Sequence, residues 1–381
     1  MTLAWFKGIF SKAHQAQTKV VVLHCGFHKT ATTSFQMTCR KNRRALASQS
    51  WHYPIFGFKG EKFANHSVPI YSAFCNNPLE YYKNVTAGYS QAEIEQFNQQ
   101  TREHLTRILK GNSRILLSGE GVSILSKDEL EALKAYLTRF GHQLKVVCGV
   151  RSPYSSTCSA FQQQVKSGRR SSFSDGRVPR KSMLMTTLLA VFDDDVSFFS
   201  FDNDCRHSEG PVSSLFARIG ISAESFNIVR INDGLSNLST RVIAAINSSL
   251  KDDDPLRRSK FRRKLSQTNI GGVKFQLTKE EYNRTERALK TESDFMASQY
   301  KHLTFDNSVH FAEPVVVDLP TAITLIGTYS NPQIFGDVVL DFCLAHSDGT
   351  WSKTQLRKGL VSQSPEHKQI AASLNSQGLL D

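Results

Sequence analysis

The apolar positions of this chain come in short unbroken runs, separated by longer stretches with helical spacing. The runs are "KVVVLH" (19–24), "RILLSG" (114–119), "KVVCGV" (145–150), "VSFFSF" (196–201) and a weaker "FNIVRI" (226–231). Apolar and β-branched residues in an unbroken row mark strands buried on both faces. Between the runs the period lengthens. Ser126 and Glu129 form a capping box, Leu130, Leu133, Leu137 and Phe140 share one face, and Gly141 stops the pattern. Another helix opens at Pro153, buries Tyr154, Cys158, Phe161 and Val165, and ends near Gly168. Strands alternating with helices predict an α/β fold, a parallel sheet flanked by helices on both faces.

Three regions depart from that rhythm. Residues 50–90 are rich in aromatics, Gly, Pro and Asn and read as long loops between the first two core strands, a place where acceptor pockets are often shaped. The stretch 251–290 is highly charged, with "RRSKFRRK" at 257–264, and reads as a solvated face. Residues 311–381 carry short apolar runs broken by Pro, Gly and Asn, which predicts a small β-rich C-terminal appendage. The main α/β domain is thus expected over 19–310, with its motifs within 19–250. Residues 1–18 form a leader. "MTLAWFKGIFSKAHQ" is too short and too basic to span a bilayer and lacks the apolar core of a signal peptide, which leaves a plain leader or a peripheral membrane helix. A cytoplasmic location is the expectation.

Composition narrows the partners. Among 381 residues, 47 Lys and Arg stand against 34 Asp and Glu, a formal charge of +13, so an anionic partner is expected. The seven cysteines, at 25, 39, 75, 148, 158, 205 and 343, include no CxxC pair. That spacing supports neither a disulfide framework nor a zinc site, and no metal is expected. Several lie inside apolar runs as small hydrophobes, in keeping with a reducing compartment.

The chemistry concentrates at the end of the first strand. In "VVVLHCGFHKTATTSFQ" (20–36), Gly26 ends the apolar run, and His28, Lys29, Thr30, Ala31, Thr32, Thr33 and Ser34 lead into a helix. A strand, a turn and a helix N-terminus aim several backbone N–H groups at one point, which suits an anion; the plain alternative is a βα turn capped by Thr33. The NTPase loop GxxxxGK[ST] is absent, because only Gly26 precedes Lys29.

The order "KTATT" opening a helix resembles instead the 5′-phosphosulfate loop of sulfotransferases that use 3′-phosphoadenosine 5′-phosphosulfate (PAPS), which commonly reads Lys-[Ser/Thr]-Gly-Thr-Thr; here Ala31 stands where glycine is usual. A second stretch, "VVCGVRSPYSSTCSAF", places Arg151 at a strand end, Pro153 beside it and Ser159 eight residues after the arginine. It resembles the same family's 3′-phosphate motif, in which the arginine's fork of donors meets a dianionic phosphate and the serine adds a hydroxyl. The resemblance covers roughly residues 19–250 and implies a P-loop-NTPase-like fold, PAPS as co-substrate, and a hydroxyl acceptor. The Ser-Gly-Glu end of the second core strand followed by "LSKDEL", with "FQQQVKSG" after the arginine, resembles bacterial members that sulfate glycans or other large acceptors. A late "LRKGLVSQ" (356–363) shares only its first letters with the cytosolic members' Arg-Lys-Gly segment and is set aside.

The family's chemistry implies that Lys29 neutralises the leaving phosphate, that residues 30–34 hold the 5′-phosphate, and that a base receives the acceptor's proton. Glu120, at the end of "RILLSG", is the leading base because strand C-termini line the ligand crevice of open parallel sheets. Glu61 and His66, within the acceptor-side loops at 50–90, are the other candidates, and His28 either contacts the sulfuryl group or is a turn histidine. The competing readings are a nucleotide kinase of the same broad fold and a basic nucleic-acid-binding protein, for which no recognition motif is present.

Overall fold

A computed structural model describes residues 18–173, 176–231, 234–249, 273–300, 303, 305 and 309–313. The leader, the basic run 257–264 and nearly all of the β-rich appendage lie outside the described residues. The chain divides into two compact units. The first is Met1–Pro153, Arg180–Asn232 and Thr291–Asn307; the second is Tyr154–Pro179, Asp233–Lys290 and Ser308–Asp381.

The first unit is an α/β layer structure around a four-stranded parallel sheet. Its strands are β1 (Val20–Gly26), β4 (Arg114–Ser118), β5 (Gln143–Val150) and β6 (Val196–Ser200), and the order across the sheet is β4-β1-β5-β6. A separate two-stranded hairpin joins β2 (Phe56–Phe58) to β3 (Glu61–Phe63). Strand alternation sends Val21, Leu23 and Cys25 to one face, where they pack on Ile108, Leu133 and Leu188 from three helices. Val22 faces the other way, onto Phe35, Leu46 and Phe216. Because β1 lies between β4 and β5, the winding direction of the sheet reverses at β1. In an open parallel sheet that reversal opens a crevice beyond the strand C-termini.

Two expectations change. Residues 50–90 are not simply loops: besides the β2–β3 hairpin they hold the helices Ser67–Phe74 and Tyr82–Ala87. Both are under three turns long, too short for helical periodicity to emerge in the sequence. The run 226–231 is not a strand of the sheet. Its backbone partners are side chains of the helix Thr32–Lys41 and the residue after it. Asn42 Nδ2 donates to the Asn227 carbonyl and Oδ1 accepts from the Asn227 amide at 2.9 Å. Thr38 Oγ1 accepts from Val229 N at 2.9 Å, and Ser34 Oγ accepts from Ile231 N at 3.0 Å.

Among its described residues, the second unit holds the helix Asn237–Ser249, most of Pro153–Lys166 and the first part of Lys279–Gln299. Phe161 packs on Phe173 and Phe275 with ring centroids 4.9 and 5.2 Å away. Asn247 donates to the carbonyls of Val165 and Arg170, and Arg241 forms a two-pronged pair with Glu281. The helix Lys279–Gln299 begins inside the stretch that reads as a solvated face, and buries Thr285 and Leu289 along it.

Candidate functional site

The C-termini of β1, β4 and β5 come together at the winding reversal. The loop after β1 turns sharply. Gly26 has φ +95°, and a Cβ there would lie 2.8 Å from the Glu120 Cβ, so only glycine lets the two turns touch. Lys29 and Ala31 both adopt left-handed φ, 73° and 55°. Ala31 occupies the conformation that glycine favours, at the position where the phosphosulfate loop usually carries glycine. Phe35 N is the first amide to bond back along the helix, onto the Ala31 carbonyl at 3.0 Å. The amides of Thr32, Thr33 and Ser34 therefore have no intrahelical acceptor and point out of the helix N-terminus.

The hydroxyls of this loop serve the fold more than the opening. Thr30 Oγ1 donates to the Phe27 carbonyl at 2.6 Å and is buried. Ser34 Oγ is buried and bonds both backbone groups of Ile231. The expectation that these two hydroxyls hold a phosphate is corrected, because both are consumed inside the protein; what Ser34 presents is its amide. Thr32 is buried, whereas Thr33, His28 and Lys29 are exposed.

Arg151 follows β5 directly. Its Nε donates to the Lys29 carbonyl at 2.6 Å, and its guanidinium lies 4.7 Å from the Phe201 ring centroid. The adjacent Ser152 amide donates to Asp202 Oδ2 at 2.6 Å, which fixes the turn. The two motifs, separated by more than a hundred residues of chain, thus meet at neighbouring strand ends. Ser159 lies half-buried on the helix Pro153–Lys166, in the part that belongs to the second unit.

Glu120 opens the short 3₁₀ turn after β4. Its Oε2 accepts from Gln36 Nε2 at 2.9 Å and from Ser67 Oγ at 3.1 Å, and its Oε1 accepts from Asn65 Nδ2 at 3.1 Å. Ser67 Oγ in turn accepts from the Gly121 amide at 2.9 Å. Burial alone would raise this carboxyl, but the amide donors of Gln36 and Asn65 and the nearby His28 outweigh it and hold it below its ordinary value. These donors favour the ionised form of the Glu120 carboxyl. Gly119 makes the arrangement feasible, since a Cβ there would lie 2.6 Å from Ser67 N.

His66 is corrected outright as a base. It is fully buried, its Nδ1 accepts from the Ser118 amide at 3.0 Å, and its Nε2 donates to the Pro54 carbonyl at 2.8 Å. Burial drives its pKa down to about 3, so the ring is a neutral staple between β4 and the chain before β2. Glu61 is exposed on β3 and has no place in the cluster around Glu120. His24, buried under the loop beside Ser118 Oγ at 2.9 Å, is likewise pushed down to about 4 by burial.

Lys181 is a site residue that motif reading misses. It starts the helix Lys181–Phe192, and its ammonium lies 5.4 Å from the Phe27 ring centroid. Burial lowers its pKa, with Glu292 opposing. The same field reaches His28, lowered first by desolvation, with Glu120 opposing and Lys181 and Lys29 adding to the lowering. No local signal in the sequence marks Lys181, because it lies about 150 residues beyond the loop it faces. Gln36, Asn65 and Ser67 are equally silent as single polar residues.

The arrangement offers helix amides and a set of cations to an anion, with one fixed carboxylate at its edge. No family model matches the chain, and no curated protein or solved structure is significantly similar to it. Among the described residues no helix is long and apolar enough to cross a membrane.

Proposed function

We propose that this chain is a PAPS-dependent sulfotransferase acting on a hydroxyl, and that its acceptor is a glycan or another large molecule. The observation that carries the reading is the bond from Arg151 Nε to the Lys29 carbonyl, which joins two phosphate-binding motifs at the reversal of the sheet. In this reading the helix amides of residues 32–34 hold the 5′-phosphate. Arg151 meets the 3′-phosphate, and Ser159 has its place beside that phosphate from the resemblance alone. Lys29 neutralises the bridging oxygen as the bond from sulfur to that oxygen breaks. A new bond forms between sulfur and the acceptor oxygen, the acceptor proton passes to Glu120, and 3′-phosphoadenosine 5′-phosphate leaves. Lys181 adds a second positive charge beside the transferring group.

The test is thermal stabilisation by 3′-phosphoadenosine 5′-phosphate in the presence of a chelator. The product nucleotide should raise Tm more than ADP does, and Arg151→Ala should abolish the difference. Equal stabilisation by ADP would remove the 3′-phosphate role of Arg151 and with it this reading.

A further inference from the structure

At the other end of the helix Thr32–Lys41 lies a cavity of about 510 Å³. Arg40, Arg43, Lys62, His52, His104 and Phe56 supply its charged and aromatic walls, and no Asp or Glu lines it. The cavity lies wholly within the first unit, about 12 Å along the helix from the nucleotide loop at the usual rise per residue.

Arg43 is held in place, and the cations here face no carboxylate. Arg43 Nε donates to the Tyr53 carbonyl at 3.1 Å, which keeps its guanidinium at the rim. Among the described residues Arg40, Arg43 and Lys62 form no ion pair. His52 is pinned by backbone bonds to β4, Arg114 O accepting from its amide at 2.9 Å. Burial lowers His52, and the charges that lower it further are Arg43 and His104; burial lowers His104 too, followed by Arg107. No carboxylate is among the groups that shift either ring. Next to the cavity a recess of about 300 Å³ is lined by Arg43, Arg44 and Trp51. The Trp51 indole N–H, buried, has no acceptor among the described residues.

Like charges gathered around a concave space of that size, with an aromatic wall, are an arrangement that a multiply charged anion would relieve. We propose that this cavity is a second ligand site, distinct from the nucleotide loop, for a small polyanion whose charged groups rest on Arg40, Arg43 and Lys62 and whose apolar part lies against Phe56. The charges of such a ligand come from phosphates or from the carboxylates of an acidic sugar. Both present oxygens that the guanidinium fork accepts.

The experiment is calorimetric titration of the full chain with inorganic tripolyphosphate and, separately, with a trimer of galacturonate. Arg40 and Lys62 are exposed, so Arg40→Glu combined with Lys62→Glu keeps the fold. At least one probe should bind, and the double charge reversal should weaken it about tenfold or more, leaving affinity for 3′-phosphoadenosine 5′-phosphate unchanged. The tighter of the two probes identifies phosphate or carboxylate as the source. Binding of neither probe, or binding that the double reversal leaves intact, overturns the proposal. The outcome does not depend on sulfuryl transfer, so it stands or falls apart from the proposed function.

Discussion

The two ends of the helix Thr32–Lys41 are both positive, and they become so by different means. At its start the field comes from backbone amides and a few cations, and the ionised Glu120 offsets part of it. At its end the helix dipole points the wrong way for an anion, and the field comes from side chains alone, with no carboxylate on the wall. The first end holds both signs close together. The second is built only to hold. Even the histidines differ: His24 and His66 are buried and locked neutral, whereas His52 and His104 are half-buried and lowered first by burial and then by the charges around them.

The sharpest break of that comparison is Glu120→Gln. If the carboxylate takes the acceptor proton, single-turnover transfer should fall about 10²- to 10⁴-fold while nucleotide affinity persists. Gln keeps two of the three hydrogen-bonding relationships at best, so circular dichroism and nucleotide-induced stabilisation serve as the fold controls. Normal turnover in this variant would make Glu120 a purely structural carboxylate. Because its folded pKa lies below the ordinary value, the wild-type rate should show no acid limb from Glu120 above about pH 4.5.

Lys29→Ala comes next, with an expected loss of about 10²–10³ in rate and a smaller loss in nucleotide affinity. Equal losses in both would turn Lys29 into a binding residue only.

The locked histidines give a third test. Their folded pKa values, about 4 for His24 and about 3 for His66, lie below the ordinary 6.5. Between those limits the unfolded chain binds protons that the buried rings refuse, so stability is full above about pH 6.5 and falls as pH drops. The slope reaches up to about 1.4 kcal/mol per pH unit for each ring. Urea denaturation at pH 7.5, 6 and 5 measures it, and His66→Asn should flatten the dependence. A wild-type stability that does not change over this range would contradict neutral burial of either ring.

The smallest effect is expected from Ala31→Gly. Relief of the left-handed conformation should stabilise the chain by about 0.5–1 kcal/mol, read from denaturant midpoints, with the nucleotide loop unaltered. A destabilised variant would show that the Ala31 methyl group has a packing role.

The four sheet strands are legible in the sequence because each is a short run dominated by apolar residues. The run 226–231 looks the same to a reader of hydrophobicity, yet side chains rather than a neighbouring strand took up its backbone groups. Motif spacing brings Lys29 and Arg151 into one picture, since both follow strands that must end at the same edge of a parallel sheet. It says nothing of Lys181, or of the cavity built from residues 40, 43, 52, 62 and 104, because pairing across such distances is decided by topology. His66 shows the opposite limit. A histidine beside polar residues in an aromatic stretch suggests chemistry, and only the bonds to Ser118 and Pro54 reveal a fastener.

The contacts of Ser34, Thr38 and Asn42 with residues 227, 229 and 231 work as a vernier. Four residues of helix advance about 6.0 Å. Two residues of extended chain advance about 6.6 Å. The scales slip by about 0.6 Å at each rung, so three rungs stay within hydrogen-bonding tolerance and a fourth would not. Four residues beyond Asn42, in the next helix (Arg43–Ser48), stands the buried Leu46, which has no polar side chain to continue the series. One residue inserted within 227–231 would misalign every later graduation at once, and would unseat the first turn of the helix Thr32–Lys41.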